Sequence, residues 1–148
     1  MKTEIGVVWF KRDLRLQDHA ALCAAEQSNL ALLYIWLIEP RELAAPENAL
    51  RHWQFQYASV LQINKELAQI GRKIHVCMGE ATDVFESLHS EFDIKTVWSY
   101  QESGPPRTFA RDRALQAFFK QAQIAWTEFQ RDGIVRGLKN RKNWDKSW

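Results

Sequence analysis

Two short polar stretches hold the side chains best suited to chemistry. Lys11–His19 (KRDLRLQDH) sets Lys11, Arg12 and Arg15 among Asp13 and Asp18, and Tyr100–Gly104 (YQESG) carries Gln101 and Glu102. Guanidinium and carboxylate groups interleaved in this way either recognise a charged ligand or tie a turn together. For Asp13 and Asp18, ion pairing with the neighbouring Arg and Lys side chains is a simpler reading than acid–base catalysis. The four histidines (His19, His52, His75 and His89) are scattered over different segments, and His75, inside an apolar run, reads as a core or edge residue. No G-x-S-x-G nucleophile elbow is present. Neither a G-x-G-x-x-G fingerprint nor a G-x-x-x-x-G-K-[ST] loop occurs, so a phosphate cradle of glycine amides is not expected. A nucleotide-like ligand would therefore depend on side chains such as Arg12, Arg51 or Glu102. Cys23 and Cys77 lack C-x-x-C spacing and read as buried free thiols of a reducing compartment.

These side chains need a frame. Short apolar runs at Ile5–Phe10, Leu30–Leu37, Lys73–Met78, Ile94–Tyr100 and Ile124–Phe129 read as strands, the first two buried on both faces. Helical patterns fill the gaps at His19–Ser28, Asn48–Ile70, Thr82–Phe92 and Pro106–Gln123. In the longest, Trp53, Tyr57, Leu61, Asn64 and Leu67 mark the expected inner face, with Gly71 as its C-cap. In the last, Phe109, Ala110, Leu115, Phe118 and Phe119 are expected on or near the buried side. Alternation of strand and helix predicts an α/β, Rossmann-like, doubly wound sheet of five parallel strands in the order 3-2-1-4-5, with helices on both faces. Ligands of such sheets bind beyond the carboxyl ends of the strands where the order reverses. That crevice falls between the first and fourth strands, which brings the two polar stretches together.

The chain is long enough for one domain, expected over 1–130, and its net charge of +2 is too small to argue for nucleic acid. From 131 to 148 it turns basic and carries Trp144 and Trp148, which suits a linker packing on another domain better than a nucleic-acid contact. Trp9, Trp36, Trp53, Trp98 and Trp126 are expected in the core. No segment has the length of a membrane span or the form of a signal peptide, and a cytoplasmic protein is expected.

Three segments carry a resemblance. VVWFKRDLRLQDHAAL (7–22) has a buried strand, an Arg-Asp-Leu-Arg turn at Arg12–Arg15, and an acidic step at Asp18 into helix. QESGPPRTFARD (101–112) has a Glu-x-Gly step leading to an Arg-Asp pair in a helix. WTEFQRDGIVRGLKNRKNWDKSW (126–148) looks like the exit segment of a bacterial branch. Together they resemble the N-terminal α/β domain of the DNA photolyase/cryptochrome family.

The resemblance implies a domain that holds a light-harvesting antenna (methenyltetrahydrofolate, deazaflavin or flavin) in or beside that crevice. It implies FAD in a helical domain downstream, which would be the partner of this one, and damaged DNA as the partner of the longer protein. That protein would repair pyrimidine dimers in light or sense blue light, and this stretch alone would be inactive. Glu102 matches an acidic residue that can face the antenna, with capping of the next helix as the alternative. Arg51 matches a position used by some deazaflavin binders, or is simply a solvated helix residue. Gln101 and Arg12 complete the expected cofactor-binding set, and no metal ligands or catalytic residues are expected in this segment. A free-standing nucleotide-binding domain and a purely structural domain are the competing readings.

Overall fold

A computed structural model describes residues 1–131, 133–140 and 142. Its elements follow in the order β1 (Glu4–Phe10), α1 (Ala20–Glu26), β2 (Ala31–Ile38), α2 (Pro40–Leu43), α3 (Leu50–Leu67), β3 (Ile74–Met78), α4 (Ala81–Glu91), β4 (Asp93–Tyr100), α5 (Pro106–Gln121) and β5 (Ala125–Phe129). The strands form one sheet in the order β3-β2-β1-β4-β5. All four pairings are parallel, with Val7 opposite Leu33 on β2 and Val97 on β4. The sequence-based order and strand count are borne out.

β1 runs through the middle, and its alternation divides the core. Val7 and Trp9 face Ile35, Phe85, Leu115 and Phe119 beneath α4 and α5. Val8 and Phe10 face Tyr34, Trp36, Val60 and Ile63 beneath α1 and α3. A strand apolar on both faces can be central only if helices cover both faces, which explains the continuous run at its start. Each large side chain so buried stabilises the fold by about 1.5–3 kcal/mol before entropy is counted.

Several expectations change. The inner face of α3 is Val60, Ile63 and Leu67, joined by half-buried Trp53 and Gln56. Tyr57 and Leu61, expected inside, are exposed at 46% and 47%. The true stripe lies one position earlier in the middle of the helix, where polar Gln56 takes an inward site at the rim of the cleft described below. Asn64 bridges to the sheet, accepting from Ile74 N at 2.7 Å and donating to Ile74 O at 3.0 Å. On α5 the buried residues are Thr108, Asp112, Leu115 and Phe119, while Ala110 is exposed. The short α2 was hidden between two prolines. Trp9, Trp36 and Trp98 are core, whereas Trp53 and Trp126 are only half-buried. Neither cysteine is a buried thiol: Cys23 is exposed on α1 and Cys77 half-buried on the edge strand. His75, expected in the core or at an edge, lies exposed on that same edge strand, as the second alternative had it. Trp144 and Trp148 lie outside the described residues.

Candidate functional site

A cleft of about 350 Å³ opens over the carboxyl ends of β1 and β2, between α3 and α5. β1 delivers Trp9–Arg12 to it and β2 delivers Trp36 and Leu37. Trp36 and Trp53 form an aromatic corner, with ring centroids 6.1 Å apart and planes inclined at 50°. Asn48, just before α3, and His52 and Gln56, on its first two turns, supply polar edges. The far wall is the loop after β4, with Glu102, and the first turns of α5, with Thr108 and Arg111.

Charge is concentrated on that far wall. Arg111 Nη1 donates to Glu39 Oε2 at 2.6 Å and Nη2 to Glu102 Oε2 at 2.9 Å, and its Nε donates to Asp112 Oδ1 at 2.9 Å. Lys11 Nζ meets the other Asp112 oxygen at 3.1 Å. Both cations also lie over the Trp9 ring, Lys11 at 4.3 Å and Arg111 at 5.0 Å from its centroid. The Trp9 indole thus packs against a buried network of two cations and three carboxylates.

Burial and pairing compete at each group. Burial works against the Arg111 charge, but Asp112, Glu39 and Glu102 outweigh it and hold the guanidinium above its usual range. At Glu102 burial again opposes ionisation, and Lys11, Arg111 and the Gly104 N–H overcome it, so its carboxyl titrates below the ordinary range. At Glu39 burial wins over Arg111, and the carboxyl is raised. Lys11 is lowered because burial exceeds the pull of Asp112.

The outer wall is the segment joining β2 to α3. Arg107, on the first turn of α5, grips Glu42 through both Nε and Nη2 and also bonds Glu47. Glu39 Oε1, at the inner end of the segment, accepts from the Ala81 N–H at the start of α4. Polar clamps thus tie this wall to its neighbours, with Ala45 as its one buried apolar residue between Pro40 and Ala49.

Of the four expected cofactor-binding residues, Glu102 and Arg12 line the cleft. Arg12 is exposed there and adds to the field that keeps Glu102 ionised. Arg51 sits exposed on the first turn of α3, outside the lining. Gln101 faces a shallow crevice with Arg131, Ile134 and Arg136, and its N–H pairs with Phe129 O at 2.8 Å. Glu102 does not cap α5, whose N-cap is Pro105. Its Oε1 instead closes its own loop, accepting from Ser103 N at 2.9 Å and Gly104 N at 2.7 Å. Lys11 belongs to the expected Lys11–His19 stretch but not to the expected cofactor-binding set, whereas Glu39, Arg111 and the Trp36–Trp53 corner carry no such expectation. A usable signal was present in the spacing of Thr108, Asp112, Leu115 and Phe119, which turns the Arg111–Asp112 pair inward. A charged pair on such a face needs buried partners. Among the described residues, no group of three or more His, Cys, Asp or Glu is placed to hold a metal ion.

The DNA photolyase family profile matches residues 6–142. The chain belongs to the DNA photolyase family. Among curated relatives of this photolyase-family chain, Cryptochrome-2 of Gallus gallus is 30% identical over 80% of the chain and 20% of its own length. The deoxyribodipyrimidine photo-lyase of Agrobacterium fabrum is 29% identical over 78% of the chain and 23% of its own length. The photolyase-family chain therefore spans about a fifth to a quarter of the curated relatives it matches. The Synechocystis cryptochrome structure shares the fold, with a TM-score of 0.80 at 24% identity, covering 88% of this chain and 28% of that one. The bacterial class III photolyase of Agrobacterium tumefaciens superposes with a TM-score of 0.72 at 26% identity over 88% of this chain and 26% of its own. The fold and the matches identify the chain as an N-terminal α/β domain of the family.

Within this photolyase-family domain the Arg-Asp-Leu-Arg step is built differently from the expected web of Arg–Asp ion pairs. Asp13 is buried and takes His19 as its partner, not an arginine. Arg15 donates through Nε and Nη2 to the Asp18 main-chain carbonyl, at 3.0 and 2.9 Å. Asp18 itself has φ 50, a left-handed conformation that short polar side chains tolerate, and this turns the chain into α1.

Proposed function

We propose that this domain carries a light-harvesting chromophore, a folate, deazaflavin or flavin, in the cleft over β1 and β2. The observation that carries this reading is the aromatic corner of Trp36 and Trp53 set opposite the oriented Glu102 carboxylate in one cleft. Its volume, about 350 Å³, lies at the lower end of small-molecule sites, which run to roughly 300–1,000 Å³. The residues present suit a flat nitrogen heterocycle. Half-buried Trp53 offers aromatic surface for it, backed by the buried Trp36 ring, and Asn48, His52 and Gln56 offer donors and acceptors at its edge. Glu102 is kept ionised and can accept one further N–H beside the three donors it already holds. When bound, such a chromophore absorbs near-ultraviolet or blue light and passes the excitation to FAD.

That FAD, a helical domain to hold it, and light-driven reversal of pyrimidine dimers in DNA or blue-light sensing all belong to the longer protein of this proposal. Residues 131–148 would lead to that domain, and the isolated stretch would leave dimers unrepaired. Among the described residues no helix is long and apolar enough to cross a membrane. We place the protein in the cytoplasm as part of the same proposal.

One observation favours a second reading, a structural domain without a ligand: the Glu102 carboxylate is already bonded to Ser103, Gly104 and Arg111. Titration separates the two. Methenyltetrahydrofolate, riboflavin and a 5-deazaflavin, added singly to the full chain, should include one that binds and quenches tryptophan emission. Glu102→Gln should weaken that ligand by about tenfold, the worth of one charge-assisted hydrogen bond. Absence of binding by all three would leave the structural reading in possession of the site.

A further inference from the structure

We propose that Arg136 is a positioning residue, holding the Glu102 peptide from the segment after β5 and so coupling that segment to the affinity of the cleft. The inference rests on the cleft being a ligand site, as proposed above. Arg136 Nε donates to the Glu102 main-chain carbonyl at 2.9 Å. The same guanidinium lies over the Phe109 ring of α5 at 5.2 Å, and its Nη2 stands 3.7 Å from Glu128 Oε1 on β5. One side chain therefore joins the loop after β4, the helix that follows it and the last strand.

Glu102 is gripped at both ends. Arg136 holds its carbonyl from outside, while Arg111 and the Ser103 and Gly104 amides hold its carboxylate within the cleft wall. A residue so fixed can change its carboxylate direction only if the peptide turns, and Arg136 resists that turn. Glu128 draws the guanidinium into place without locking it, since its Oε1 is buried yet makes no hydrogen bond among the described residues. Behind the guanidinium lies a second cavity of about 240 Å³, bounded by Phe109, Trp126 and Glu128. A displacement of the segment after β5 is thereby felt at the cleft.

A merely structural Arg136 would set stability and leave affinity alone, so affinity and local exchange are the readouts. The probe is whichever of methenyltetrahydrofolate, riboflavin and 5-deazaflavin binds the full chain. Arg136→Gln should weaken it about tenfold, and Arg136→Lys should recover part of the loss. In a Glu102→Gln background, Arg136→Gln should add less than about twofold, because both changes act through one carboxylate. Amide exchange in residues 101–104 should quicken about tenfold in Arg136→Gln, since opening of that loop becomes easier by a like factor. A lower melting temperature with unchanged affinity overturns the proposal, as does a full additive loss in the double variant. If no probe binds the parent chain, the ligand reading fails separately. Exchange then decides alone, and unchanged rates over 101–104 overturn the positioning role.

Discussion

His19 Nε2 lies 2.5 Å from Asp13 Oδ2, and each side chain is 1% exposed. The imidazole is used at both nitrogens. Its Nδ1 accepts from Leu22 N at 3.0 Å, capping α1, so Nε2 carries the proton and donates to the carboxylate. The other Asp13 oxygen accepts from Lys11 N at 3.0 Å, fixing the end of β1. One buried pair thus aims both β1, which feeds the cleft, and the helix that follows it.

Removing either half strands the other. Asp13→Ala, which leaves a buried neutral N–H unpaired, should cost about 1–3 kcal/mol, and His19→Ala, which leaves the buried Asp13 carboxylate without its partner, about 3–5 kcal/mol. Asp13→Asn retains an acceptor for Lys11 N and should cost less than Asp13→Ala. Urea denaturation of the three variants checks the order. Equal losses for Asp13→Ala and Asp13→Asn would show that the carboxylate charge, not the acceptor geometry, carries the stability.

Lys11 predicts an alkaline effect of definite sign. Burial holds its ammonium below the ordinary value of 10.5. Between its folded pKa and 10.5 the unfolded chain binds the proton and the folded chain does not, so stability contributed at this site rises with pH. Tyr34 acts the other way from about pH 10 upward, because burial and Glu26 raise its folded pKa to about 12. Comparison with Lys11→Met removes the tyrosine from the difference. The stability of the parent chain relative to Lys11→Met should increase from pH 7 to pH 10. A flat difference would mean that Lys11 titrates normally.

Those two clusters show what the sequence could and could not reveal. Continuous apolar runs such as Ile5–Phe10 can be buried only between two helical layers, so strand count, order and class were all legible. Periodicity was less secure at the rim. Gln56 takes an inward position on α3 where Tyr57 and Leu61 looked more apolar. The cleft lies over β1 and β2 and not squarely between β1 and β4, because the segment from Glu39 to Ala49 folds back as a wall. Arg107 holds that wall from 65 residues away in the chain through Glu42, and no local pattern announces such a partner. Glu102 was visible as an acid after a strand, but its hold by Arg111 and Arg136 depends on three separate elements meeting.

Arg111 is the centre of that hold, and its loss should be severe at neutral pH. Arg111→Met leaves Glu39, Glu102 and Asp112 facing one another with Lys11, and the exposed Arg12 near Glu102, to balance them. The expected cost is about 3–5 kcal/mol at pH 7. Without the guanidinium these carboxyls should bind protons in the folded chain at higher pH than in the unfolded one, so stability in the variant should rise as pH falls toward 5. Denaturation at pH 7 and pH 5 measures the effect. A deficit that stays constant between the two would place the loss in packing against Trp9 instead of in charge.

Gly6 should tolerate no side chain, for a reason of packing and not of backbone. A Cβ built there would stand 2.4 Å from Cζ3 and 2.8 Å from Cη2 of Trp98, and 3.3 Å from Cδ2 of Leu32. The register between β1 and β4 shifts at Ile5/Gly6, which seats the indole directly over the glycine. Leu32 can shift by a rotamer, but the Trp98 ring is rigid and only 7% exposed, so it must tilt or push β4 away. Gly6→Ala should therefore cost about 1–3 kcal/mol, as overpacked cores do. The companion change Trp98→Phe removes the atoms in conflict, so Gly6→Ala should cost less in that background than alone. A purely additive pair, measured by thermal and urea denaturation of all four chains, would locate the penalty in the strand backbone and remove Trp98 as its cause.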